Sequence, residues 1–194
     1  MVKLRRGFKK EAEEYSKELR LELGLQVHNP INPMILATHL CVPVYELSSH
    51  PLISDEVKIY FATAGSSDFS ATTLPDGTYR AILHNDYQHI NRQNSNITHE
   101  IAHILLGHPP KPPMICDSCR NFDPVMEREA NELGFILLVP KVAALFAVEA
   151  IGNIDRAALH YGVSRSLMSY RIKITDVRRW AANRARNGST CMLA

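Results

Sequence analysis

The chain has 194 residues, 45% of them hydrophobic and 22% charged, with a formal net charge of +2. That balance excludes an intrinsically disordered chain and a polyanion binder acting by bulk charge, and the length suits one domain with at most a small appendage. Four cysteines, Cys41, Cys116, Cys119 and Cys191, are too few and too scattered for a disulfide framework. A reducing, cytoplasmic location is therefore the default expectation.

The basic start is followed by Lys9-Lys-Glu-Ala-Glu-Glu and not by an apolar run, which argues against a secretory leader. No window approaches the ~18 apolar residues of a membrane span. Residues 7–23 read as a helix, with Ala12, Tyr15, Ser16, Leu19 and Leu23 recurring three and four apart and Gly24 suited to its C-cap. Pro30 and Pro33 lead into a short helix over 34–40. Residues 41–45 read as a strand placed at an edge or an end by Pro43. Residues 58–63, Lys-Ile-Tyr-Phe-Ala-Thr, read as a second strand and 65–73 as a polar loop. Leu74-Pro-Asp-Gly-Thr reads as a turn, and 79–84 as a third strand. The expected product is a small antiparallel sheet.

A strong helix is predicted from Ser95 or Asn96, both good caps, to Gly107, stopped by the prolines from Pro109 to Pro113. A loop over 111–123 carries Cys116-x-x-Cys119. Another helix runs from Pro124 to about Leu138, ended by Pro140, and a short one covers 142–149.

The chemistry concentrates in Ile97-Thr-His-Glu-Ile-Ala-His. His99 and His103 lie four apart, which puts both imidazoles on one helix face. Glu100 sits beside that face, where a carboxylate can act as general base, and Ile101, Ile104, Leu105 and Leu106 supply an apolar face. This H-E-x-x-H pattern is that of zinc peptidases. A catalytic zinc takes three protein ligands and leaves one position open. His108 does not supply the third by metzincin spacing, which would need Gly at 106 and His at 109, where this chain has Leu106 and Pro109. Glu127-Arg-Glu-Ala-Asn131 has the layout of the gluzincin third-ligand motif. That layout assigns Glu127 to the metal, with Glu129 as competitor, and Asn131 to the outer nitrogen of a ligating histidine.

At this point the chain resembles the ImmA/IrrE family of metallo-endopeptidases. The resemblance rests on Phe8-Lys-Lys-Glu-Ala-Glu-Glu, on Thr98-His-Glu-Ile-Ala-His-Ile-Leu-Leu-Gly-His108, and on Glu127-Arg-Glu-Ala-Asn-Glu-Leu-Gly-Phe-Ile-Leu-Leu-Val-Pro140, and it extends weakly into 142–172. It implies a zinc-dependent intracellular peptidase, one Zn2+ per chain, acting on a narrow set of proteins. In this family those are helix-turn-helix transcriptional repressors, cleaved to release genes of mobile elements or stress responses. Two departures stand out. Family members often carry Phe-Ala after the E-x-x-A-[ND] unit, where this chain has Glu132-Leu-Gly. The Cys116-x-x-Cys119 insert is not a usual family feature; a plain reduced loop, a local second metal clip and a thiol switch are all open to it.

In such a mechanism Glu100 would shuttle the proton, and Tyr79, His84, Tyr87, His89 or His160 would be candidates for an oxyanion donor. The strand over 79–84 could hold an extended substrate by edge pairing.

Between positions 151 and 190 eight basic residues face two acidic ones. Residues 154–174 read as helix-turn-helix, with a turn at Gly162, Val163 buried, Ser164 capping the second helix, and Arg165, Ser166, Ser169 and Tyr170 exposed. Leu167 and Met168 make that second helix partly apolar, which suits docking on the catalytic domain better than base readout.

Together these readings give an α+β protein. A mostly helical, zincin-like peptidase domain with a small antiparallel sheet spans 1–140, a helix-turn-helix-like helical module 141–186, and a flexible tail 187–194. The expected partner is a protein substrate, a transcriptional repressor, with no membrane. The alternative is a DNA- or protein-binding regulator of a mobile element, its metal site sensory or vestigial.

Overall fold

The computed structural model describes residues 3–76, 79–109 and 123–191. The chain opens with α1 (Phe8–Glu22), α2 (Pro33–His39) and strand β1 (Val44–Glu46). Then come α3 (Asp55–Ala62), β2 (Ala71–Asp76) and β3 (Tyr79–His84). The two site helices follow, α4 (Ile90–Leu105) and α5 (Pro124–Leu138). The last third holds α6 (Lys141–Phe146), a π-turn (Ala147–Ile151), α7 (Ile154–His160), α8 (Arg165–Ile174) and α9 (Val177–Cys191). Among the described residues no single helix is long and apolar enough to cross a membrane.

The small sheet is mixed, not antiparallel. Its order is β1-β3-β2, with β1 parallel to β3 and β2 antiparallel to it. Two misreadings explain the difference. Residues 58–63 carry the β-branched and aromatic side chains of a strand, yet they lie in α3. Ser54 stands at the N-cap position there, and Asp55 and Glu56 fill the first turn, where carboxylates favour a helix start. The true second strand, β2, includes Ala71, Thr72 and Thr73, which read as loop, and Leu74, Pro75 and Asp76, which read as turn. Pro75 is tolerated because β2 is an edge strand and its missing N–H breaks no inner ladder. Residues 77–78 of the expected turn lie outside the described residues.

The cap of α4 is His89, six residues before Ser95, the earlier of the two expected caps, and its side chain accepts from the Asn91 N–H. Ser95 and Asn96, read as caps, sit inside the helix. Ser95 Oγ bonds back to the Asn91 carbonyl and Asn96 Nδ2 to Gln88 Oε1.

Two apolar clusters meet at the end of α5. The first joins Phe8, Ala12 and Leu19 of α1, Ile82 of β3, Ile97 and Ile101 of α4, and Leu133, Ile136 and Leu137 of α5. The second begins at Leu138 and Val139 and gathers Ala144, Ala157, Val163, Met168, Ile172 and Val177. Between them lies Arg20, fully buried and with no carboxylate in ion-pair contact among the described residues. It donates to the Leu137 carbonyl at 2.7 Å, to Ser16 Oγ at 2.6 Å and to the Asn29 carbonyl at 2.9 Å. Burial lowers its pKa to about 10, so it stays charged at neutral pH and satisfies the last carbonyls of α5.

Helices α7 and α8 flank a turn at Gly162, and Ser164 caps α8 by accepting from Leu167. The turn is held against α4: Asn91 Nδ2 donates to the Val163 carbonyl and Asn94 Nδ2 to the Gly162 carbonyl, each at 2.9 Å. Helix α8 buries Leu167, Met168, Arg171 and Ile172, while Arg165, Ser166, Ser169 and Tyr170 face outward. Of the stretch expected as a tail, 187–191 forms the end of α9 and 192–194 lie outside the described residues.

Candidate metal centre

Helices α4 and α5 cross closely, and the cleft beside them holds the titratable groups. Gly134 of α5 faces the backbone of α4: a Cβ built there would meet the His99 Cα and N and the Thr98 carbonyl at 3.4 Å, the near limit of ordinary contact. The other face of α4 buries Ile97, Ile101 and Ala102 completely or nearly so and fixes its rotation.

This geometry brings His99, His103 and Glu127 to one point. The two Nε2 atoms lie 3.1 Å apart. Glu127 Oε2 stands 3.3 Å from His99 Nε2, and its Oε1 3.4 Å from His103 Nε2. A tetrahedral site with bonds of about 2.0–2.1 Å has ligand-to-ligand edges of about 3.3 Å, so three of the four corners fit a divalent ion of zinc's size and taste for imidazole and carboxylate. Side-chain exposures of 21%, 10% and 13% leave the group reachable from solvent on the His99 side.

Glu100 is not part of this triangle, yet it lines the same cleft as His99 and Glu127. It is 4% exposed and accepts a 2.7 Å hydrogen bond on Oε2 from Thr73 Oγ1 of β2. Its Oε1 has no donor among the described residues. Thr73 was invisible as a site residue because its segment read as loop. A 370 Å³ cleft runs past these groups, lined by Ser70 and Ala71 from the sheet, Ser95, Asn96, His99 and Glu100 from α4, and Glu127, Asn131, Gly134 and Phe135 from α5.

The outer nitrogens of the two histidines differ in their surroundings. Asn131, expected to bond one of them, instead donates to the Glu127 carbonyl one turn back at 2.8 Å. His99 Nδ1 is buried without a hydrogen-bond partner among the described residues. His103 Nδ1, in contrast, meets Nδ1 of His108 at 2.9 Å, and His108 Nε2 faces Glu129 Oε2 at 3.6 Å. Glu129 also lies 3.7 Å from Arg5 Nε, so it belongs to a chain of charge leading away from Glu127 and the metal triangle. Burial, then the neighbouring His103, pushes the His108 pKa down against the pull of Glu129.

A helix C-cap places His108 there. Gly107 sits at φ +68°, its N–H bonds the Ile104 carbonyl, and the His108 N–H reaches back to the His103 carbonyl. This is a Schellman motif, in which the residue after the glycine lies over the third from the helix end. Nothing would clash with a Cβ on Gly107, so Gly107→Ala tests conformation alone. It is expected to cost about 1 kcal/mol, the left-handed strain less the entropy gained in the unfolded chain, in urea unfolding.

Cys116 and Cys119 lie outside the described residues. None of Tyr79, His84, Tyr87, His89 and His160 lines the cleft. His84, on the central strand, is 2% exposed with both ring nitrogens unpartnered, and burial lowers its pKa.

Comparison with curated proteins returns no match. The profile of a peptidase family, the IrrE N-terminal-like domain, matches residues 56–173. The matched span runs from α3 into α8 and contains His99, Glu100, His103 and Glu127. It covers more than half of the 194 residues, and the chain belongs to this family of ImmA/IrrE-type peptidases.

Proposed function

We propose that the protein is a zinc-dependent endopeptidase that cuts a peptide bond in a specific protein, a helix-turn-helix transcriptional repressor. The observation that carries this reading is the convergence of His99 Nε2, His103 Nε2 and Glu127 at 3.1–3.4 Å beside a separate, buried Glu100. A site that merely senses or stores metal has no need of that fourth group.

His99, His103 and Glu127 would hold the ion. A divalent ion in that position acidifies a water and polarises a carbonyl. Glu100, steadied by Thr73 on Oε2, takes a proton from the attacking water on Oε1 and passes it to the departing amine as the C–N bond breaks. The substrate would lie along β2, not along 79–84 as the sequence suggests. β3 is the central strand, paired on both sides, whereas β2 has no second strand partner among the described residues and contributes Ala71 to the cleft. Narrow specificity follows from docking on that edge and on the wall made by Phe135, against which Tyr170 of α8 packs edge-on at 5.8 Å. The same packing supports a role for the C-terminal helices in substrate choice in preference to DNA readout.

The test is metal analysis of the purified full chain together with cleavage of a helix-turn-helix repressor, with and without a chelator. One equivalent of zinc and a single chelator-sensitive cut are expected. A protein that binds no divalent metal, or that digests casein as readily as the repressor, would contradict the proposal.

A further inference from the structure

We propose that His108 is a positioning residue of this metal centre, the middle of a Glu129–His108–His103 relay that fixes which nitrogen of His103 faces the ion. The inference rests on the metal-site reading above and adds a residue that the ligand motif does not contain.

The argument is one of proton bookkeeping. His103 offers Nε2 toward Glu127 and His99, so its Nε2 must carry a lone pair when an ion is bound. Its proton then sits on Nδ1, and among the described residues the atom placed to receive it is His108 Nδ1 at 2.9 Å. His108 must therefore be bare on Nδ1 and protonated on Nε2, the nitrogen that faces the Glu129 carboxylate at 3.6 Å. Each proton position follows from the next, and the order ends on a carboxylate of the correct charge.

The relay is built into the fold. His108 is 7% exposed, its N–H is fixed to the His103 carbonyl, and its own carbonyl accepts from Arg80 of β3 at 2.7 Å. Glu129 lies two residues after Glu127 on the same helix, so one helix supplies both a ligand and the end of the relay. His99 has no such support on its outer nitrogen. The site is thus asymmetric, with His103 the preorganised ligand. Partners of this kind raise the basicity of the ligand and lock its ring.

The experiment measures zinc affinity of the full chain by competition with a chromophoric chelator at one pH. His108→Leu, which removes the acceptor, is expected to weaken zinc by about 10–100-fold. His108→Asn, whose Oδ1 can accept the same proton, should recover most of that loss, to within about threefold of the native chain. Native affinity in His108→Leu would overturn the proposal, as would an equal loss in both variants, which would mean that the ring itself binds metal or merely packs. Should the leucine variant fail to fold, ring-nitrogen NMR shifts of the zinc-loaded native chain decide the matter. They are expected to place the His108 proton on Nε2, and a proton on Nδ1 would refute the relay. A native chain that takes up no zinc overturns the metal-site reading and this inference together; zinc-binding that is indifferent to His108 overturns this one alone.

Discussion

Glu100→Gln should leave metal content and fold unchanged while lowering peptide cleavage about a hundredfold or more. The substitution keeps the shape, and the amide can still take the Thr73 hydrogen bond through its carbonyl. What it loses is the capacity to hold a proton between attack and departure. The counterpart is His103→Ala or Glu127→Ala, which removes a corner of the 3.1–3.4 Å triangle and should abolish stoichiometric zinc and cleavage alike. The contrast between the two classes is the informative result. Loss of metal in Glu100→Gln would make Glu100 a ligand, and undiminished cleavage in it would remove the general-base assignment. Retention of zinc in Glu127→Ala with loss in Glu129→Ala would move the third corner to Glu129.

The site was legible where one helical period decides geometry. Four residues separate His99 from His103, and a helix needs nothing more to bring the rings together. Glu127 is a different matter, since it lies 24 positions after His103, across a segment outside the described residues. Only the pattern of a second helix with its own spacing linked the two. His108 is an instructive omission. It was weighed as a ligand and set aside on spacing, but Gly107-His108 directly after an apolar helix is also the signature of a left-handed cap that folds the next residue back. Reading the cap as geometry, beyond its role as a stop signal, would have placed His108 over His103.

The sheet was less legible, for reasons of competing signals. Lys58 to Thr63 has strand-like side chains, and short apolar runs do not separate helix from strand by periodicity alone. The Ser54-Asp55-Glu56 start was the deciding signal. In β2, Pro75 and the small residues before it imitate a turn, and only its place at an edge makes it a strand. The start of α4 differs from the sequence reading because Ser95 and Asn96 look like caps. The preceding turn of the helix is held from outside, with the Asn91 and Asn94 amides donating to the Gly162–Val163 turn, a tertiary use that no local pattern reveals.

Arg171→Met is expected to lower the unfolding free energy by about 3–5 kcal/mol, because it breaks a buried ionic network by removing one partner. The Arg171 side chain is 2% exposed. It donates from Nε to the Val139 carbonyl at 2.8 Å, pairs through NH2 with Glu13 of α1 at 2.9 Å, and faces Glu132 of α5 through NH1 at 3.5 Å. Glu132 has Lys9 of α1 at 3.2 Å and the Tyr170 hydroxyl at 3.3 Å as further neighbours. Its Oε1 nevertheless lacks a well-aligned hydrogen bond, so it depends on charge more than on geometry. Glu13 in turn accepts from the Lys141 N–H at the start of α6. The network therefore ties α8 to α1, to α5 and its end, and to the start of α6, and it explains the acidic residue in the Glu132-Leu-Gly departure. Removing the cation leaves Glu132, at 6% exposure, with only Lys9 and the Tyr170 hydroxyl beside it among the described residues. Replacing both ends with apolar groups should remove most of that penalty, so Arg171→Met combined with Glu132→Leu is expected to be more stable than Arg171→Met alone. Urea unfolding of the four members of this cycle measures the coupling. A single variant within about 1 kcal/mol of the native chain would mean that α8 is held by its apolar face of Leu167, Met168 and Ile172 alone. If the network matters as argued, a loosened α8 also frees Tyr170 from Phe135, and the choice of substrate should relax in the same variant before metal is lost.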